Sequence, residues 1–173
     1  MSDISEVVAQ HVRDIPDFPS PGILFKDITP LLADGPAFAA TVDAMRIGEF
    51  DVVAGIEARG FLIGAAIAYA AGVGIVPIRK AGKLPSAALS TQYELEYGTA
   101  TIEMHTDAIA PGQRVLVVDD VLATGGTLAA TLTLLGQVDA RIAGVAVILE
   151  LAALGGRERV TGLGYEPTAL LSV

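Results

Sequence analysis

Cysteine is absent from the sequence, which removes disulfides, thiolate zinc sites and a cysteine nucleophile and makes the cytoplasm the plain expectation. Tryptophan is missing too, and aromatic residues make up only 5% of a chain that is 52% hydrophobic. The apolar content is therefore mostly Ala, Val, Leu and Ile, more than a soluble core of this size needs unless a buried sheet and a subunit interface consume it. Histidine is rare: His11 and His105 have no spacing to each other or to carboxylates that suits a metal site or a triad, so both are expected at the surface. Long apolar runs are lacking as well. Phe61 to Ala71 is too short to span a bilayer, and Met1 to Asp14 carries three acids and no apolar core, unlike a signal peptide. Cations are few, 11 Lys and Arg against 20 Asp and Glu for a net charge of −9. No nucleic-acid surface is expected from that balance, and an anionic substrate would have to be drawn in by a local positive cluster.

What is present is organised around Val115 to Thr127, Val-Leu-Val-Val-Asp-Asp-Val-Leu-Ala-Thr-Gly-Gly-Thr. Val115 to Val118 is unalternating and rich in β-branched residues, as in a parallel strand buried on both faces. The strand is expected to end at Asp119 and Asp120, in the crevice beyond the carboxyl ends of the strands where ligands collect in open α/β folds. A small Gly-containing loop then opens a helix, Thr127 to Leu135, so that free backbone N–H groups and the positive helix end face one space that a phosphate would fit. Carboxylates beside a phosphate would repel it unless engaged by ribose hydroxyls or a cation. The pattern is neither a Walker loop nor a dinucleotide fingerprint.

The remaining chain reads as one α/β domain, residues 1–173. Residues up to Asp17 suggest an amphipathic helix with Asp3 and Glu6 as a capping box and Pro16 as its stop. Prolines 16, 19, 21 and 30 rule out a regular helix or central strand around Phe18 to Pro30. A rigid surface connector is one reading of that stretch. Ile23, Leu24 and Phe25, three apolar neighbours in a loop, favour covering a flat aromatic ligand. Phe38 to Met45 reads as a helix and Phe50 to Ile56 as a strand running into Glu57-Ala-Arg-Gly60, with Arg59 able to grip phosphate oxygens in bidentate fashion. A nearly all-apolar helix to Gly72 and a third strand, Val73 to Ile78, lead to Arg79, Lys80 and Lys83, the local attraction the net charge calls for. The polar stretch from there to Tyr97 lacks a clear period and reads as a mobile lid loop. Thr99 to Met104 and Ala143 to Leu149 read as strands, Gly155 to Arg159 as a loop or short helix, and Glu166 to Val173 as an edge strand.

Taken together, Phe18 to Leu31, Glu57 to Phe61, Arg79 to Pro85, Tyr93 to Gly98 and Val115 to Thr127 resemble the adenine phosphoribosyltransferases of the type I phosphoribosyltransferase family, over nearly the whole chain. The central motif resembles the 13-residue phosphoribosyl pyrophosphate (PRPP) motif, while Phe-Pro-x-Pro-Gly-x-x-Phe-x-Asp-Ile and Leu-Glu-Tyr-Gly point to adenine. Lys26, where many relatives carry Arg, and Ala58, in place of a common Ser, depart from the pattern.

The resemblance implies a mainly parallel sheet flanked by helices, a small base-binding hood within about residues 1–35 and a mobile loop. It implies transfer of the phosphoribosyl group of PRPP to N9 of adenine, giving AMP and pyrophosphate, with Mg²⁺ bound to PRPP and no direct protein ligand set for the metal. Ala123, Thr124, Gly125, Gly126 and Thr127 would hold the 5′-phosphate, and Asp119 and Asp120 the ribose hydroxyls or the metal region. Arg59, Arg79, Lys80 and Lys83 would serve pyrophosphate, with Arg59 and Lys83 taking part in catalysis and Arg79 acting in its own or a partner subunit. Ile23, Leu24, Phe25 and Lys26 would read adenine, Glu96 would assist proton movement on the base, and Tyr97 would close the loop. The apolar surplus and the same likeness together suggest a homodimer, and the charge balance and short apolar runs leave no nucleic-acid or membrane partner expected. The alternatives are a phosphoribosyltransferase for xanthine, guanine or orotate, whose keto group would want a donor such as Lys, and a non-catalytic PRPP sensor on the same fold.

Overall fold

The computed structural model describes residues 3–94 and 98–173. The long apolar runs form strands that pair into a seven-stranded sheet, order β5-β6-β4-β3-β7-β8-β9. These are β3 (Val52–Ile56), β4 (Gly74–Lys80), β5 (Ala88–Glu94), β6 (Thr99–His105), β7 (Arg114–Leu122), β8 (Arg141–Glu150) and β9 (Pro167–Ser172). The five strands from β4 to β9 are parallel, and β6 and β5 extend the sheet antiparallel. A separate two-stranded antiparallel sheet joins β1 (Arg13–Pro16) to β2 (Leu24–Asp27).

Helices cover both faces of the large sheet. On one lie α1 (Ile4–His11), α2 (Thr29–Ala33), α3 (Gly35–Met45) and α4 (Arg59–Ala71), which bury Val8, Leu31, Met45, Ile63 and Ile67 against it. The other face carries α5 (Gly126–Gly136) and α6 (Gly156–Thr161), through Leu128, Leu132, Leu135 and Val160. β7 serves both layers: Val115 and Val117 enter one core, Leu116 and Val118 the other, because successive side chains of a strand alternate. Among the described residues, no helix is long and apolar enough to cross a membrane.

Several sequence expectations are corrected here. The first helix ends at His11, not near Asp17, with Asp3 as its N-cap accepting from the Ser5 N–H. Residues 13–16 are instead a strand, since Ile15 can pair with Phe25 where no helix-interior position would tolerate Pro16. Leu24–Asp27 is likewise a strand rather than loop, an edge position that the nearby prolines permit. The stretch expected to be a structureless lid folds into β5, zipped to β6 from Ala88 with His105 to Glu94 with Thr99. Finally, β7 does not stop at the acids but runs through Asp119 and Asp120 to Leu122.

Candidate active site

The chain leaves β3 through α4 to reach β4 on one side, while β7 pairs on the other side of β3. That reversal creates a crevice at the carboxyl ends of β3 and β7, the place where ligands bind in open α/β sheets. A cavity of about 560 Å³ occupies it, lined by Glu57, Arg59, Lys80, Tyr93, Asp119, Asp120 and Thr127 among others. A smaller one of about 70 Å³ adjoins it, bounded by Asp119 and residues 121–128.

The smaller cavity is the turn between β7 and α5. Gly125 has φ +75°, and a Cβ there would stand 2.6 Å from the Gly156 carbonyl oxygen. Only glycine combines that backbone with that approach. Gly125 caps α5 without a side chain, so the first N–H groups of the helix remain directed at the turn. The α6 backbone that abuts the turn is held from behind: Arg157 donates to both Glu150 oxygens, at 2.9 and 2.7 Å, and to the Pro167 carbonyl at 2.9 Å. Those bonds keep the Glu150 carboxyl below its usual range against the opposing effect of burial.

Asp119 and Asp120 are both buried. Burial first, then the neighbouring Asp120 charge, pushes the Asp119 carboxyl well above its usual range, although it accepts the Asp120 N–H at 2.9 Å. Asp120 forms an ion pair with Arg59 Nε. The Arg59 guanidinium also sits 5.1 Å from the centre of the Phe25 ring, and Phe25 in turn meets Phe18 edge to face at 5.2 Å. Arg59 thus links the small sheet to the acids.

The segment that ends β4 and follows it, Arg79 to Lys83, converges on Glu57. Its carboxylate accepts from Lys83 Nζ, from the Lys80 N–H at 3.0 Å and from Arg79 Nε at 3.4 Å. Burial pushes this carboxyl up, but the Lys83 ammonium and the other donors outweigh it and leave it below its ordinary value. No role for Glu57 was legible in the sequence, because its partners lie more than twenty residues away and only β3–β4 pairing unites them. Tyr93 was missed too. Its ring lines the large cavity, with the hydroxyl 3.3 Å from Thr127 Oγ1.

The structure therefore brings together Arg59, Lys80, Asp119, Asp120 and Thr127 around one cavity, with Ala123, Thr124, Gly125 and Gly126 in the adjoining turn and Arg79 and Lys83 joined to them through Glu57. Phe25 reaches this group through Arg59. Ile23 and Leu24 are about half exposed and line neither cavity. Lys26 turns its amine away, to Asp14 Oδ1 at 2.7 Å. Glu96 and Tyr97 lie outside the described residues. Among the described residues, no group of three or more His, Cys, Asp or Glu could hold a metal ion.

A family model, the phosphoribosyl transferase domain, matches residues 27–161. The chain is 61% identical over 163 residues to the adenine phosphoribosyltransferase of Acidothermus cellulolyticus, covering 92% of each. The chain belongs to the adenine phosphoribosyltransferase family. The crystal structure of adenine phosphoribosyltransferase from Rhodothermus marinus superimposes with a TM-score of 0.93 at 44% identity over 100% of both chains. That of Saccharomyces cerevisiae, complexed with D-2,5-dideoxy-2,5-imino-altritol 1,6-bisphosphate and adenine, gives 0.90 at 36% identity over 99% of this chain and 100% of that one. Family membership gives the crevice between β3 and β7 its chemical setting: a strand-end acid pair, a phosphate-sized turn and a cation cluster, on the family's α/β fold.

Proposed function

We propose that this chain transfers the phosphoribosyl group of PRPP to N9 of adenine, releasing pyrophosphate and forming AMP. The observation that carries the reading is the convergence of the buried acid pair, the turn 123–127 and the cations of Arg59, Lys80 and Lys83 at the switch point, in a chain of this family. PRPP has one feature for each: a 5′-phosphate for the turn, ribose hydroxyls for the acids and a pyrophosphate for the cations. In the reaction the N9–C1′ bond forms as the C1′–pyrophosphate bond breaks with its electron pair, and the N9 proton leaves. The protein's tasks are to stabilise the departing charge, align the base and exclude water.

In this reading residues 123–127 bind the 5′-phosphate through backbone N–H groups, Asp119 and Asp120 hold the ribose, and Arg59, Arg79, Lys80 and Lys83 hold pyrophosphate. Residues 1–35 form the hood over the base. Phe25 supplies an aromatic face there, Lys26 contributes its backbone because its amine serves Asp14, Glu96 assists proton movement on the base and Tyr97 serves loop closure. Magnesium would be bound through PRPP, with Asp119 and Asp120 the nearby residues and its charge countering that of the pyrophosphate. Two carboxylates, one raised by burial and one committed to Arg59, suit a hydrated ion held chiefly by substrate oxygens rather than a resident site. The enzyme works as a cytoplasmic homodimer, the exposed apolar face of α4 with Leu62 and Tyr69 meeting a second copy.

A base-competition assay with magnesium and PRPP tests the reading. Adenine should be converted to AMP while hypoxanthine, guanine, xanthine and orotate remain. Preference for another base would reassign the substrate, and no turnover with any base would favour a PRPP sensor.

A further inference from the structure

Glu57 is an acid in the middle of the cations that the proposed function assigns to pyrophosphate. Its side chain is only 11% exposed, and both oxygens are committed: one to Lys83 Nζ, the other to the Lys80 N–H and Arg79 Nε. The segment it gathers is tied down at further points. Arg79 Nη1 donates to the Lys83 carbonyl at 3.1 Å, and the Gly82 N–H donates to Glu103 at 3.0 Å. The backbone of Glu57 is itself pinned, its N–H donating to Ile78 at 2.9 Å. A carboxylate so placed offers two anionic oxygens to the same donors that a diphosphate would use.

We propose that Glu57 is an internal competitor of pyrophosphate, a positioning residue that shares Lys83 with the leaving group and thereby weakens the hold on the product. The inference rests on the function proposed above. Its chemical logic is that catalysis gains from charge stabilisation as pyrophosphate departs, but cations left unopposed would retain a multiply anionic product and slow turnover. A carboxylate that takes Lys83 back lowers that retention. A merely structural anchor has the same contacts but the opposite consequence, since without it the cations would be less well placed.

Glu57→Gln separates the two, because the amide keeps the shape and one acceptor for the Lys80 N–H while removing the charge opposed to Lys83. Pyrophosphate affinity is measured by calorimetry on the whole protein. The competitor role predicts binding about fivefold tighter than wild type, the scale of one partly exposed ion pair, with adenine binding unchanged. It also predicts that Lys83→Gln weakens pyrophosphate binding more in the Glu57→Gln background than alone, because Lys83 is then wholly available. Unchanged or weaker binding in Glu57→Gln, or a smaller Lys83→Gln effect in that background, overturns the proposal. If Glu57→Gln does not fold, the wild-type protein decides: the carboxyl ¹³C resonance of Glu57 should move on saturation with pyrophosphate at constant pH, and an unmoved resonance overturns the idea. Failure of wild type to bind pyrophosphate at all would count against the function itself, which keeps the two apart.

Discussion

Asp119, proposed above to hold the ribose, sits where its charge costs the fold. Its carboxyl titrates above the usual range because it is buried and because Asp120 lies beside it. In the unfolded chain the same group would titrate near 3.9. Between those two values the native state binds more protons than the unfolded one, so stability falls as pH rises through that window. Asp119→Asn removes this loss. The variant is expected to gain on wild type in urea-unfolding experiments as pH is raised from about 4 toward neutrality, while calorimetry shows PRPP binding weakened far more than adenine binding. A stability deficit that grows with pH would contradict the assignment. The acid pair itself was legible in the sequence, since few strands run into adjacent aspartates and a Gly-Gly turn. What could not be read was that the strand continues through them: Val121 and Leu122 still pair with β8, at Leu149 and Glu150, and that pairing is what buries the acids. Glu57 illustrates the opposite limit, a residue whose role exists only through contacts made by register.

Elements built from apolar runs are legible in the sequence, and those of mixed polarity only in part: β6 is, expected over Thr99 to Met104 and found over Thr99–His105, whereas β5 is not. β3, β7 and β8 announce themselves because both of their faces are buried. In β5 alternate residues turn inward, Leu89, Thr91 and Tyr93, against exposed Ala88, Ser90, Gln92 and Glu94. That is a period of two, but Thr and Gln blur it and the preceding Gly82 and Pro85 suggest a loop. The hairpin bears on chemistry. With Tyr93 facing the large cavity, Glu94 turns to the outside and does not line it. The acid/base role proposed for Glu96 rests on its neighbours in the sequence, Leu95 and Tyr97, with Gly98 following, a partly apolar setting that would raise a carboxyl toward the working range. General acid/base assistance is typically worth about 10²–10⁴-fold. Glu96→Gln is expected to lower kcat within that range with PRPP affinity little changed, whereas Glu94→Gln should behave nearly as wild type. Single-turnover measurements of both variants check this, and greater damage from Glu94→Gln would reverse the roles.

At the scale of the whole molecule, the surplus of apolar residues has a location. No charge occurs between Arg59 and Arg79, a span that contains all of α4 but its first residue and most of β4. Ile63, Ile67 and Ala68 of that helix enter the core, yet Leu62 and Tyr69 on its other side stay exposed, Tyr69 by 90%. A helix apolar all round is normally covered on every side. Ile75, at the start of β4, adds to the exposed apolar surface, and the same strand ends in the cations, so an interface here would lie on the elements that carry Arg59 and Arg79 to the site. A two-fold contact between α4 helices would use one patch on both copies, as homodimers do. The double variant Leu62→Asp with Tyr69→Asp places four carboxylates in that contact while touching neither the core nor the cavity. Sedimentation at micromolar concentration should find a dimer in wild type and a monomer in the variant, with the far-ultraviolet dichroism unchanged. If Arg79 acts across the interface, the monomer should also lose kcat, and raising its concentration should restore part of it. A wild-type monomer, or a variant that remains dimeric, would rule out the two-fold contact between α4 helices.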